Sequence, residues 1–229
     1  MNKVMVFSGG LDSTILLYKL VNDYGTENVN DLTFDYGQRN DYELTLAKRT
    51  CKILGVEQKV VDLSFLGELV SPVSCLIKDS AIDTPTDLEV IAKNKVPTTY
   101  VPYRNAIMAS IAFSYAEVIE ANEIYFALLR CDKFSPWDCS DQFRRAMNTV
   151  SKANRTKDIV FLAPFINKTK AAAIIIGKTL RVPFEDTWTC YKNPVLGKAC
   201  KKCEACVQRV KYFSQADITD TIQYVTGDK

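Results

Sequence analysis

The stretch that most constrains the fold is Val4-Met5-Val6-Phe7 followed directly by Ser8-Gly9-Gly10-Leu11-Asp12-Ser13-Thr14. An apolar run, a glycine pair, and then Ile15, Leu16, Leu17, Leu20 and Val21 at helical spacing read as strand, tight turn and helix. Such a unit gathers phosphate. Glycine lets the backbone turn sharply and approach a ligand closely. The N–H groups of the turn and of the first helical turn converge on one spot, where the helix dipole favours negative charge. Ser8, Ser13 and Thr14 add hydroxyl donors, whereas an ordinary capped loop needs only one such residue. The spacing matches neither G-x-G-x-x-G nor G-x-x-x-x-G-K-[ST]. The expected ligand face therefore runs through Phe7, Ser8, Gly9, Gly10, Leu11, Asp12, Ser13 and Thr14.

The alternation continues. Val29 to Phe34 reads as a second strand, and the polar turn Asp35 to Asn40 puts Tyr36, Gln38 and Arg39 at its C-terminal end. Open α/β sheets bind ligands at such ends. A helix from Asp41 to Leu54 follows, closed by Gly55, and then a strand around Val60-Val61. The order β-α-β-α-β implies a parallel sheet and the α/β class. Residues 71–98 show no period and contain Pro72, Pro85 and Pro97, so they read as either a lid or a surface insertion.

Further on, Val101-Pro102-Tyr103-Arg104-Asn105 opens a helix from Ala106 to Ile119. Arg104 at a helix start can fork onto a phosphate or carboxylate, or pair with a surface acid. A strand over Glu123 to Leu128 leads into residues 130–139, where a planar base can stack on Trp137 or Phe134 while Asp132 accepts its N–H groups. Each aromatic also reads as core. A helix over Gln142 to Ala153, a strand over Ile159 to Phe161 and a helix over Ala171 to Leu180 complete the pattern. Lys170 begins the last helix, as a point charge at the ligand edge or a solvated surface lysine.

Composition narrows the chemistry. At 229 residues and 47% hydrophobic, the chain suits one α/β domain with an appendage. A net charge of +2 gives no bulk electrostatic case for nucleic acid. The opening run reads as a core strand rather than a signal peptide, and no apolar run is long enough to span a membrane, so a cytoplasmic protein is expected. Histidine is absent, which excludes Ser–His and Cys–His nucleophile pairs and His-ligated metal. Of eight cysteines, Cys190, Cys200, Cys203 and Cys206 form C-x9-C-x2-C-x2-C. Four thiolates at this spacing can enclose one structural Zn²⁺; an iron–sulfur cluster is the alternative. Cys51, Cys75, Cys131 and Cys139 read as plain thiols. The expected division is a nucleotide-binding part, residues 1–185, and a metal-binding segment, residues 186–229. Beyond Phe213, Ile218, Ile222 and Val225 stand at rough helical spacing, as packing or a dimer contact.

Taken together, F-S-G-G-L-D-S-T, F-D-Y-G-Q-R, V-P-x-R-N, A-P-F…T-K-A, T-W-T-C-Y and C-K-K-C-E-A-C resemble the 7-cyano-7-deazaguanine synthase family of the PP-loop ATP pyrophosphatases. The resemblance implies a Rossmann-like (adenine nucleotide alpha hydrolase-like) parallel sheet with helices on both faces, a structural zinc on the four cysteines, and a homodimer. It implies conversion of 7-carboxy-7-deazaguanine and ammonia to the 7-cyano base with ATP and Mg²⁺, and no nucleic-acid partner. By the same resemblance, Ser8, Asp12, Ser13, Lys170 and Arg104 carry catalysis. Phe7 through Thr14, Tyr36, Gln38 and Arg39 hold the nucleotide, and Arg104, Asn105, Asp132, Phe134 and Trp137 hold the base. The chain departs from the family pattern at Asn40 (for histidine), Tyr103 and Ala127 (for glycine) and Ser135 to Ser140. All lie toward the substrate end. The alternatives are a ligase that stops at the amide or uses another amine, a tRNA-modifying relative, and a non-catalytic zinc-ribbon module.

Overall fold

The computed structural model describes residues 1–86, 96–129 and 137–225. Strands β1 (Lys3–Val6), β2 (Val29–Asp35), β3 (Glu57–Asp62), β4 (Glu123–Tyr125) and β5 (Val160–Leu162) form one sheet in the order β3-β2-β1-β4-β5. All four pairings are parallel. The order reverses between β1 and β4, which marks the crevice beyond their C-terminal ends as the place for a ligand. Among the described residues, no helix is long and apolar enough to cross a membrane.

Side chains alternate along β1 because successive Cβ atoms point to opposite faces. Val4 joins a core made with helices α3 (Ser64–Val70), α4 (Arg104–Val118) and α5 (Asp141–Ala153). Met5 and Phe7 face the other way, into a core with α1 (Leu11–Tyr24), α2 (Tyr42–Leu54), α6 (Lys170–Thr179) and Phe213 of α7 (Glu204–Gln215). Helices therefore cover both faces, as expected. A third, smaller cluster joins Leu46 of α2 to Trp188, Cys190, Ala199, Cys203 and Cys206.

Local signals set the helix ends. Gly55 closes α2 in the left-handed conformation, φ 68°. Ser140 Oγ accepts from Phe143 N–H at 3.0 Å and caps α5; Thr169 Oγ1 accepts from Ala172 N–H at 3.2 Å and caps α6.

One expectation is corrected, and two features are added. Strand β4 stops at Tyr125 rather than Leu128, because its neighbours β1 and β5 end at Val6 and Leu162. Helix α3 is additional; Asp62 Oδ1 accepts from Ser64 N–H at 2.8 Å, and Leu66 and Val70 are buried. Beyond α7 the tail packs back on the chain, with Ile218 and Ile222 against the cores. Ala199 N–H donates to Gln223 O and Val225 N–H to Ala199 O, both at 2.8 Å.

Candidate active site

The turn after β1 is pressed against α2. Gly9 has φ 80°, and a Cβ there would stand 2.2 Å from Glu43 O and 2.9 Å from Ala47 N. Only glycine admits that conformation and that approach together. Gly10 precedes α1 with extended backbone and no side-chain cap, leaving the N–H groups of the first helical turn facing the crevice. Ser8 Oγ and Ser13 Oγ lie 3.0 Å apart at its mouth, and Ser8 Oγ also accepts from Gly10 N–H at 3.2 Å. Thr14 is fully buried and donates its hydroxyl to Gly10 O at 2.9 Å, so it braces the turn from inside. Phe7 and Leu11 are core side chains, which leaves only their backbone near the crevice.

Charges converge on this turn. Lys170 Nζ, at the start of α6, lies 3.0 Å from Asp12 Oδ2. Asp12 Oδ1 is buried without a hydrogen-bond partner. Glu43, in the first turn of α2, presents its carboxylate toward Gly10. Burial pushes that carboxyl up to about 8, with Asp12 adding to the rise and Arg104 opposing it. Arg104 donates to Tyr36 Oη at 3.1 Å and lies over the Tyr36 ring. Burial works against its charge, but Tyr36, Cys139 and Asp138 more than offset that, so the guanidinium stays protonated. Asp138 is buried and its carboxyl is pushed up by that burial, against the pull of Arg104.

The remaining expected residues divide clearly. Gln38 is buried; it accepts from Tyr36 N–H at 2.9 Å and donates to Phe34 O at 3.3 Å. Arg39 donates to Ile77 O, Ser80 O and Ile82 O at 3.4, 2.7 and 3.2 Å, and so fastens the 77–82 loop. Asn105 is buried and donates to Asp138 O at 3.2 Å, which fixes the turn Trp137–Cys139. Trp137 is 46% exposed. Asp132 and Phe134 lie outside the described residues. The structure thus brings Ser8, Asp12, Ser13 and Lys170 to one spot, with Arg104 and Tyr36 beside it. Sequence reasoning missed Glu43 and Asp138, each of which matters only through neighbours distant in the chain.

The four cysteine sulfurs stand within 4.8 Å of one another, with Cys200–Cys206 and Cys190–Cys203 both at 3.9 Å. A tetrahedron of thiolates around Zn²⁺ at about 2.3 Å has edges of about 3.8 Å. The backbone N–H groups of Lys192, Lys202 and Cys203 donate to these sulfurs at 3.3–3.4 Å, as supports for charged thiolates. Thiol donors from Cys190 and Cys206 push the Cys203 thiol down, and the same hydrogen bond to Cys203 pushes the Cys190 thiol up. Four sulfurs at this spacing could hold one metal ion.

This segment also reaches the turn after β1. Trp188 forms a parallel bridge with Gly10, and its N–H points at Gly9 O at 3.5 Å. Arg209 of α7, fully buried, holds both oxygens of Asp220 at 2.9 Å and donates to Thr187, Thr189 and Phe184. The tail and the segment beside the turn therefore share one cation.

The family model described as queuosine biosynthesis protein QueC matches residues 2–217. The chain belongs to the QueC family. A 7-cyano-7-deazaguanine synthase of Alteromonas mediterranea is 35% identical over 97% of this chain and 98% of its own. One of Brucella ovis is 36% identical over 100% of this chain and 95% of its own. A solved NMN synthetase from Francisella tularensis aligns over 98% of this chain and 79% of its own, with a TM-score of 0.48 and 16% identity, too distant to add to the argument. Within the QueC family pattern, Tyr103 is the departure with a backbone consequence: it has φ 53°, a conformation that glycine adopts freely.

Proposed function

We propose that this chain converts 7-carboxy-7-deazaguanine, ammonia and ATP into 7-cyano-7-deazaguanine, with release of AMP and pyrophosphate. The observation that carries the reading is the convergence of Ser8, Ser13, the uncapped start of α1 and Lys170 beside Asp12. A carboxylate resists ammonia because its oxygen leaves poorly. Transfer of AMP to that oxygen makes it a good leaving group, and pyrophosphate departs. Charge then builds on the pyrophosphate, where the N–H groups, both hydroxyls and the lysine would receive it. Ammonia attacks the acyl carbon, AMP leaves, and the nitrogen gives up a proton to yield the amide. A second ATP adenylates the amide oxygen, pyrophosphate again departs, and loss of AMP together with the two nitrogen protons gives the nitrile. No step needs a covalent enzyme intermediate, which suits a chain without histidine.

Arg104 would face the acid or its phosphate, and Trp137 the ring. Tyr36 would line the nucleotide side, while Gln38 and Arg39 shape the loop behind it. Asp132 and Phe134 remain assigned to the base by family resemblance. Asp12 Oδ1, buried and without a partner, suits the Mg²⁺ that accompanies the nucleotide. The sulfur spacing favours one Zn²⁺ over an iron–sulfur cluster, whose several irons need a wider cage. Residues 1–185 would then bind nucleotide and 186–229 form a metal-stapled segment packed on them. The reading includes a cytoplasmic homodimer, which light scattering during size-exclusion chromatography checks. The test of function is incubation with the acid, ammonium and MgATP, followed by mass spectrometry. A nitrile product is expected; recovery of the acid unchanged overturns the reading, and an amide end-product restricts it to the first half.

A further inference from the structure

We propose that Tyr103 and Trp137 form a two-walled aromatic seat for the planar ring of the acid substrate, with the left-handed backbone of Tyr103 as its structural cost. This rests on the function proposed above. Tyr103 precedes α4 with φ 53° and ψ 14°. Residues at that position are normally extended, as Gly10, Ser140, Thr169 and Cys203 are here. The other non-glycine residues with positive φ among those described sit where that conformation is ordinary. Glu120, Arg181 and Asp217 follow the ends of α4, α6 and α7, and Leu196 and Lys201 lie in tight turns. Tyr103 alone among them adopts it at the start of a helix, with a bulky ring. Strain of this kind persists where the surroundings enforce it, and it gathers at ligand sites.

The surroundings do enforce it. Tyr100 Oη accepts from Tyr103 N–H at 3.2 Å and from Trp137 Nε1–H at 2.8 Å, so one oxygen fixes both walls. The rings meet at 65° with centroids 5.1 Å apart. Behind them Phe143 supports Trp137 edge-on at 5.5 Å. Nevertheless Tyr103 is 62% exposed and Trp137 46% exposed. Two large aromatic rings held rigidly and left open form a corner in which a flat heterocycle stacks on one wall and meets the other edge-on. Arg104, the next residue, donates to Tyr36 just past the C-terminal end of β2, and is the cation nearest in sequence to this corner.

Calorimetric titration of 7-carboxy-7-deazaguanine into the full chain and its variants tests this, with thermal denaturation alongside. Tyr103→Phe keeps the ring and should bind within about two-fold of the parent. Tyr103→Gly and Tyr103→Ala should both bind about five- to a hundred-fold more weakly, the range for losing one aromatic stacking partner. Affinity for a non-hydrolysable ATP analogue should not change. Stability should separate these two variants: Tyr103→Gly relieves the strain and keeps Tm close to the parent, whereas Tyr103→Ala retains the strain and melts lower. A glycine variant that binds the acid as tightly as the parent overturns the seat while leaving the proposed function standing. A parent protein that does not bind the acid at all sinks both.

Discussion

Gly9→Ala isolates the contact between the turn after β1 and α2. The added Cβ meets Glu43 O at 2.2 Å and Ala47 N at 2.9 Å, both backbone atoms of one helix, so neither can rotate aside. The left-handed φ of 80° costs an alanine about 1–2 kcal/mol. Overpacking against a fixed helix costs about 1–3 kcal/mol more. The stiffer unfolded chain returns about 0.4–1 kcal/mol. The net is about 1–5 kcal/mol, and at about 2–4 °C per kcal/mol for a chain of this size, Tm should fall by about 2–20 °C. Gly197→Ala is the matched control: its φ is 74°, but nothing lies within 4 Å of the added atom. It should lose about 1 kcal/mol or less. Circular dichroism melts of both variants decide the matter. If Gly9→Ala melts no lower than Gly197→Ala, the packing of the turn on α2 is not as described.

Other outcomes follow from the same geometry. Asp31 is fully buried and its carboxyl is pushed up by burial to about 7. Between pH about 4 and about 7 the folded chain keeps a proton that the unfolded chain has lost, so this group makes stability fall as pH rises through that window. Asp31→Asn should flatten that part of a Tm–pH curve, and an unchanged slope would refute the assignment. Asp220→Asn leaves the buried Arg209 charge uncompensated and should cost about 3–5 kcal/mol in urea unfolding, whereas a loss under about 1 kcal/mol would make the pair incidental. Elemental analysis should find zinc rather than iron at one equivalent per chain, and chelation should lower Tm; a chain that melts unchanged after removal of the metal would contradict a staple.

The strand–turn–helix opening was legible because its signal is local: an apolar run, two glycines and a helical period within adjacent residues. The parallel sheet followed from repetition of that pattern, and the closure of α2 from Gly55. Helix α3 was not legible, since seven residues that include Gly67 carry too little period. The turn after β2 does lie at that strand's C-terminal end, yet Gln38 and Arg39 spend their polar groups on Phe34, Tyr36 and the 77–82 loop. Nothing near them in the sequence announces those partners. Glu43 has no local signal in the sequence; only Asp12 and Arg104, brought near by the fold, single it out. The tail offered only its spacing: Ile218 and Ile222 do pack against the cores, but the buried Arg209–Asp220 pair that fastens the tail has no signal in the sequence.

The central claim is that the turn from Ser8 to Ser13, with Lys170, receives the pyrophosphate released on adenylation. Its most direct measurement follows labelled ATP in the presence of MgCl2 and the deazaguanine acid. The account predicts acid-dependent formation of AMP and pyrophosphate, abolished in folded Asp12→Asn and Lys170→Ala variants. Formation of ADP and phosphate instead, or parental turnover in those variants, would contradict it.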